Sequence, residues 1–182
     1  MKKNIAILLT TISLLFLAGC QPKQKEVEKK ATDSDSALMY TFNIEEHEYR
    51  FRLLDNWIKY PNKDGNITFL VGNKENKSFM TAGVEPVDKS LDNYKDDFLK
   101  KISEQKGDIK IEPDERELND LPSYYLQFVM DDSKGRPLTY CSYLIETDDY
   151  FINLAAWTSE ENPSAETLQN LDDMLSNFEQ LK

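Results

Sequence analysis

Two consecutive apolar segments, residues 138–145 and 150–157, constrain the fold of this chain more than any other feature. Both are apolar on each of the two faces that a β-strand presents, and a short polar link containing Asp148 and Asp149 separates them. Such a link joins antiparallel neighbours, and strands without a polar face lie inside a sheet that is covered on both sides. The chain therefore needs a sheet in the middle and a layer on each side of it.

The rest of the chain supplies further strands and the covering layers. Alternating apolar and polar residues predict a β-hairpin at residues 40–44 and 49–53 and a second strand pair at 67–71 and 79–84. Short polar turns predict that strands at 109–118 and 124–130 join the two apolar segments in an antiparallel meander. Apolar residues at helical spacing predict one helix from the cap Ser90 to about Gly107, and a second from Asn162-Pro163 to Phe178. We expect an α+β fold in which helices, one on each face, cover an antiparallel sheet of about six to eight strands.

The segment before this domain has a different composition. Residues 20–37 contain almost no apolar side chains, so they cannot offset the entropy cost of folding. We expect a flexible tether here, followed by one globular domain over residues 38–182, which is long enough to build a single core.

Residues 1–19 have the layout of a secretory signal peptide. Lys2 and Lys3 form a basic start, an apolar stretch follows over residues 5–17, and small residues precede Cys20. The apolar stretch is shorter than the roughly 20 residues that span a bilayer. It therefore indicates an export signal and not a permanent membrane helix.

The string Leu-Ala-Gly-Cys at residues 17–20 resembles the bacterial lipobox. This resemblance implies cleavage between Gly19 and Cys20, and a diacylglycerol on the Cys20 thiol, which would anchor the chain to the outer face of the cell membrane through that lipid. The Lys-rich and Asn-rich composition, with little Gly and Pro, is typical of Gram-positive bacteria with a low GC content.

The charge balance excludes nucleic acid as a partner. Without residues 1–19 the chain has 20 basic and 33 acidic residues, and this net charge repels phosphate polymers. The same net charge opposes close contact with an anionic membrane surface, and it would attract cations or basic peptides. No acidic cluster has the spacing of a calcium-binding loop. We therefore predict no cofactor and name no metal-binding residue, and a calcium site stays open as an alternative.

The sequence offers few groups for catalysis. Cys141 lies in an apolar run, where cysteine is usually a small buried residue. His47 is the only histidine and lies between acidic residues in an apparent turn. The chain has no Gly-x-Ser-x-Gly elbow, no His-Glu-x-x-His motif and no glycine-rich phosphate loop. We therefore predict no catalytic residues and no enzymatic activity.

The order of these elements resembles the PsbP-like family, which includes DcrB-type and LpqN-type bacterial lipoproteins. The resemblance spans residues 40–181. It rests on the strand 49–53 leading into Asp-Asn-Trp at 55–57, on the helix start Ser-Leu-Asp at 90–92 and on the closing Leu-Ser-Asn-Phe at 175–178. It implies an αβα sandwich built on an antiparallel sheet. It implies no single activity, because a fold does not fix a function.

These observations favour a surface lipoprotein that acts as a non-enzymatic binding or accessory module for a protein or small-ligand partner. Trp57, Tyr60 and Trp157 are the candidate interaction residues, because exposed aromatic side chains mark interfaces; core packing is the alternative for each. Two other functions stay open. One is an extracytoplasmic hydrolase with paired carboxylates, and the other is a pheromone peptide released from residues 12–19 of the signal.

Overall fold

The structure is a computed structural model that describes residues 39–62, 65, 67–106 and 111–181. The predicted signal peptide and tether, including Cys20, lie outside the described residues. The elements in chain order are β1 (Met39–Ile44), β2 (His47–Arg52), β3 (Trp57–Lys59), β4 (Leu70–Asn73), β5 (Ser78–Pro86), α1 (Leu91–Lys106), β6 (Asp114–Leu118), β7 (Leu121–Asp131), β8 (Pro137–Glu146), β9 (Tyr150–Thr158), α2 (Ala165–Ser176) and β10 (Glu179–Gln180).

Seven strands form one antiparallel sheet in the order β3-β4-β5-β9-β8-β7-β6. The two segments that are apolar on both faces, β9 and β8, are the fourth and fifth strands of this order and are buried at nearly every position. The predicted α+β class with a central, doubly covered strand pair is confirmed.

Each face of the large sheet has its own core and its own covering layer. Tyr140 and Leu144 of β8 lie in the core beneath α1, whereas the intervening Cys141 and the following Ile145 lie in the core beneath α2. This alternation follows from the two-residue period of a strand. The helices therefore lie on opposite faces, and their buried contributions are Tyr94, Phe98 and Ile102 from α1 and Leu171, Met174 and Leu175 from α2.

The N-terminal hairpin of β1 and β2 forms as predicted, but it does not join the large sheet. β1 and β2 pair with the short β10 to form a separate sheet of three strands. An aromatic cluster holds this small sheet beside α2, with the Tyr49 ring stacked 5.6 Å from the ring of Phe178. The two residues of β10 are too few to produce a sequence pattern, so only the structure reveals this sheet.

Several predicted boundaries are also corrected. β3 has only three residues and was not expected. β4 covers Leu70–Asn73 instead of residues 67–71, because Gly72 and Asn73 pair with Phe79 and Ser78. β6 begins at Asp114, since residues 111–113 are not in a strand; residues 109 and 110 of the predicted strand lie outside the described residues.

The helix starts follow their caps. The Ser90 hydroxyl accepts a hydrogen bond from the Asn93 amide at 3.3 Å, as predicted for α1. In α2 the cap is Ser164, whose hydroxyl accepts from the Thr167 amide at 3.0 Å, so the helix begins two residues after the predicted Asn162-Pro163 start. Phe178 follows the end of α2 but is fully buried.

The link between β6 and β7 also differs from the expected Asp120-Leu121-Pro122 turn. Asn119 and Asp120 form a two-residue turn with φ values of 50° and 69°, which is the geometry of a type I′ hairpin. Leu121 and Pro122 belong to β7. The Asn119 side chain donates to the carbonyls of Ser176 and Phe178 at 3.2 and 2.6 Å and so fixes the end of α2.

We predict that Asp120→Gly stabilises the fold. A left-handed conformation costs a non-glycine residue roughly 1–2 kcal/mol, whereas glycine adopts it without strain. The larger loss of backbone entropy when glycine folds cancels only part of this relief of strain. The free energy of unfolding should rise by about 0.5–1 kcal/mol in urea denaturation. The control Glu117→Gly, in the exposed part of β6, should lower it; a loss of stability in Asp120→Gly would contradict this description of the turn.

Candidate functional site

A row of aromatic side chains crosses the α1 face of the large sheet. Phe79 of β5, Trp157 of β9, Tyr140 of β8 and Phe128 of β7 are directly opposed across the strands. Neighbouring ring centroids are 5.1–5.8 Å apart, and Tyr60 extends the row with its ring 5.8 Å from Phe79. Cross-strand aromatic pairs of this kind stabilise a sheet, so the row is first of all a structural element.

The row is covered at one end and open at the other. Tyr140 and Phe128 are buried beneath α1, where the Phe98 ring lies 6.3 Å from Phe128. Phe79 and Trp157 are only half-buried. α1 packs over β7 and β8 and reaches β9 and the end of β5 through Tyr94–Phe151 and Lys101–Glu85 contacts. Among the described residues it leaves β3, β4 and the start of β5 without a helix on this face.

We call this uncovered region the open half-face and define it by Ile58, Tyr60, Gly72, Phe79 and Trp157. Ile58 is opposed to Gly72, which is opposed to Phe79, so these residues share a face of the sheet. Ile58 is 45% exposed and is one of only two large hydrophobic residues that the described part of the chain leaves exposed. The open half-face therefore presents apolar and aromatic side chains to the surroundings.

Of the three aromatic residues singled out in the sequence, the structure brings two together. Tyr60 and Trp157 lie on either side of Phe79 in the open half-face. Trp57 lies on the opposite face, is 4% exposed, and donates its indole N–H to the Asn170 side-chain oxygen at 2.9 Å. The structure removes Trp57 from the candidate surface and gives it a core role.

Phe79 is the residue of this surface that sequence reasoning missed. Its importance depends on the pairing of β5 with both β4 and β9, which no single segment reveals. Its ring lies over Gly72: a β-carbon at residue 72 would be 2.7 Å from Phe79 Cδ1 and 2.9 Å from the Ser78 carbonyl oxygen. The absence of a side chain at residue 72 thus determines where the ring of Phe79 lies.

We predict that Gly72→Ala destabilises the domain by roughly 1–3 kcal/mol, because the added methyl group overpacks against a ring and a backbone carbonyl. The matched control is Gly83→Ala, since a β-carbon at residue 83 of the neighbouring strand would have no atom within 4 Å. Thermal unfolding of both variants measures the difference. Equal stability of the two variants would contradict the close contact at Gly72.

The groups considered for catalysis are engaged in contacts of the fold. His47 Nε2 lies 2.8 Å from Asp149 Oδ2, and its ring meets Tyr150 edge-on at 6.1 Å. The imidazole thus connects the small sheet to the β8–β9 turn. Cys141 is 1% exposed in the core, and burial raises the pKa of its thiol. A protonated, inaccessible thiol is a poor nucleophile.

A polar cluster lies between β6 and α2. The Arg116 guanidinium is 4.1 Å from the Tyr125 ring centroid and donates to the Tyr143 hydroxyl at 3.1 Å and to the Asp114 carboxylate at 2.8 Å. Asp172 Oδ1 is 4.0 Å from Arg116 Nη1, is shielded from solvent, and accepts no hydrogen bond from the described residues. Burial raises the pKa of Asp172, although Arg116 opposes this effect.

We predict that Asp172→Asn stabilises the protein at neutral pH more than in acid. The folded-state pKa of Asp172 is raised. The Asp172 carboxyl therefore contributes to the stability of the fold below the ordinary aspartate pKa, and this contribution is lost as the pH rises through the folded-state pKa. The melting temperature should therefore increase at pH 7 and change less near pH 3. Asp173→Asn, which removes the same charge from an exposed neighbour, is the control, and an equal gain there would contradict the assignment.

Other kinds of site find little support in the part of the chain that the structure describes. No group of three His, Cys, Asp or Glu side chains within it is placed to hold a metal ion. An open depression of about 270 Å³ lies at residues 52–55 and Asn170, which is smaller than the pockets that enclose small-molecule ligands. None of the described helices is long and apolar enough to cross a membrane.

The three-layer α+β arrangement is found in other solved structures. Cyanobacterial PsbP (CyanoP) from Synechocystis sp. PCC 6803 matches with a TM-score of 0.53 and 15% identity, covering 83% of this chain and 97% of that chain. A protein from Bacteroides thetaiotaomicron matches with a TM-score of 0.50 and 11% identity, covering 74% of this chain. The present chain spans only 45% of the Bacteroides chain.

A protein of unknown function from Pseudomonas aeruginosa has a TM-score of 0.43 at 14% identity, covering 66% of this chain and 83% of that chain. No protein-family model matches the sequence, and no curated protein does. The expected PsbP-like fold is confirmed. At these identities the likeness concerns the fold alone.

Proposed function

We propose that this protein is a lipid-anchored, non-enzymatic binding module at the outer face of the cell membrane, and that it binds through the open half-face. The observation that carries the binding surface is the half-buried state of Tyr60, Phe79 and Trp157 beside the exposed Ile58. The other half of the same aromatic row is covered by α1. Large amphipathic side chains left at the surface are typical of interaction sites.

The surroundings of the remaining reactive groups support a binding role over catalysis. His47 is held by Asp149 and Cys141 is buried, so neither is presented at a cleft. The depression near Asn170 is small and open. A surface that contacts an extended partner fits these features better than a pocket that encloses a substrate.

The anchor in this proposal is a diacylglycerol on Cys20. Its support is the lipobox-like string at residues 17–20 behind a signal-like segment. Each buried methylene of the acyl chains contributes about 0.8 kcal/mol, so two chains hold a domain on a bilayer stably. The domain itself then needs only a weak affinity for a partner at the membrane.

We predict that wild-type protein extracted from membranes carries a diacylglyceryl mass increment on a chain that begins at Cys20. Cys20→Ala should remain unprocessed or be lost from the membrane fraction, because it lacks the thiol that accepts the lipid. Intact-mass measurement and membrane fractionation test this, with Cys141→Ala as the control that removes the other cysteine. Unlipidated wild-type protein in the culture medium would refute the anchor.

A further inference from the structure

We propose that the open half-face and the adjoining edge strand β3 lie against the lipid bilayer itself. This inference rests on the proposed function, since it names the partner of that surface. Three independent observations support it: the place where the N-terminal segment joins the domain, the side chains at the surface, and the distribution of charge across the sheet.

The N-terminal segment joins the domain beside β3. β1 begins at Met39, and the ring of the next residue, Tyr40, lies 4.9 Å from Lys59 Nζ and 5.5 Å from the ring of Phe69. Residues 20–38 separate Cys20 from this point, and a chain of that length spans at most about 65 Å. A lipid on Cys20 would thus attach the domain to the bilayer at a point beside the β3 edge, and within about 65 Å of the membrane.

The exposed side chains of this region are of the kinds that bind at the surface of a bilayer. Ile58 is 45% exposed, and Tyr60 and Trp157 are half-buried on the same face of the sheet. Tyr and Trp concentrate at membrane interfaces because each combines an apolar ring with a polar group. The turn after β4, next to the start of β3, has two exposed lysines, Lys74 and Lys77, and one exposed acid, Glu75. Its net positive charge favours anionic lipid headgroups.

The net negative charge is not spread evenly. Residues 57–86, which provide β3, β4 and β5, have 3 acidic and 4 basic side chains, whereas residues 114–131, which provide β6 and β7, have 5 acidic and 1 basic. These two segments lie in opposite halves of the large sheet. Charge therefore becomes more negative from the β3 edge toward the β6 edge, where Asp114, Glu115 and Glu117 are exposed.

This distribution modifies the expectation that the net charge opposes membrane contact. An anionic leaflet repels the β6 edge and leaves the nearly neutral β3 edge free to approach, because screened electrostatic forces act over about 10 Å. Repulsion of the acidic part then orients the domain at the membrane surface and does not drive it away from the membrane.

The test compares two positions of equal exposure on opposite faces of the sheet. An environment-sensitive fluorophore is attached at Ile58→Cys or at Val129→Cys in full-length, membrane-extracted protein; the wild-type residues are 45% and 51% exposed. Cys141 is 1% exposed and is shielded from labelling. The proteins are reconstituted on vesicles of phosphatidylcholine with and without phosphatidylglycerol.

We expect the label at residue 58 to shift to the blue and to be quenched by nitroxide lipids, and the label at residue 129 to report water. Phosphatidylglycerol should strengthen the signal at residue 58. The increase caused by phosphatidylglycerol should be smaller in Lys74→Glu. The control Lys100→Glu, at an exposed position of α1, should show the same increase as the unsubstituted chain.

Equal, water-like signals from both positions on vesicles that retain the protein would overturn the proposal. So would a label at residue 58 that is shielded only in native membranes, since that result indicates a protein partner. If the protein does not remain on the vesicles, the anchor has failed. An N-terminal histidine tag on the Cys20→Ala chain, which lacks the thiol that would otherwise also be labelled, then holds the labelled protein on a nickel-chelating lipid and tests the docking without the anchor.

Discussion

The structure depends on the adjacent strands β8 and β9, whose side chains are buried on both faces of the sheet. Their register opposes Tyr140 to Trp157 and Cys141 to Ala156, so the first pair faces α1 and the second faces α2. A shift of one residue in either strand would exchange the two sets. Because neither face tolerates water, each needs a covering layer, and this requirement places one helix on each side.

The two layers are unequal in width, and the open half-face is the result. Strands are spaced by about 4.8 Å, so seven of them are much wider than one helix of about 10 Å diameter. On one side α2 is joined by the sheet of β1, β2 and β10, which completes the cover. On the other side α1 is the helix that packs on the sheet, and it lies over β7 and β8. The strands at the β3 edge are left for another partner, which we propose to be the bilayer.

Sequence reasoning identified the features that repeat along the chain. The burial of residues 138–145 and 150–157 and the positions of both helices follow from periodicity, and Ser90 was identified as a cap by its residue type. The small sheet could not be predicted, since it requires the pairing of Arg50 with Glu179 across most of the chain. Short elements such as β3 and β10 contain too few residues to show a period.

The candidate surface was predicted in part for the same reason. Tyr60 and Trp157, grouped by their chemistry, lie together on one face, but the faces on which Trp57 and Phe79 lie depend on strand register. Register is a property of pairs of strands, and one strand alone does not specify it. The unequal charge of the two parts of the chain is visible in the sequence, but only the strand order shows that they lie at opposite sides of the sheet.

The most direct test of this account is hydrogen exchange of the intact, membrane-anchored protein compared with the same protein released into detergent. If the uncovered half of the sheet lies on the bilayer, amides of residues 57–60 and 74–79 should exchange more slowly on the membrane, whereas those of residues 114–118 at the opposite edge should be unchanged. Equal exchange at both edges, or protection confined to residues 114–118, would contradict the account.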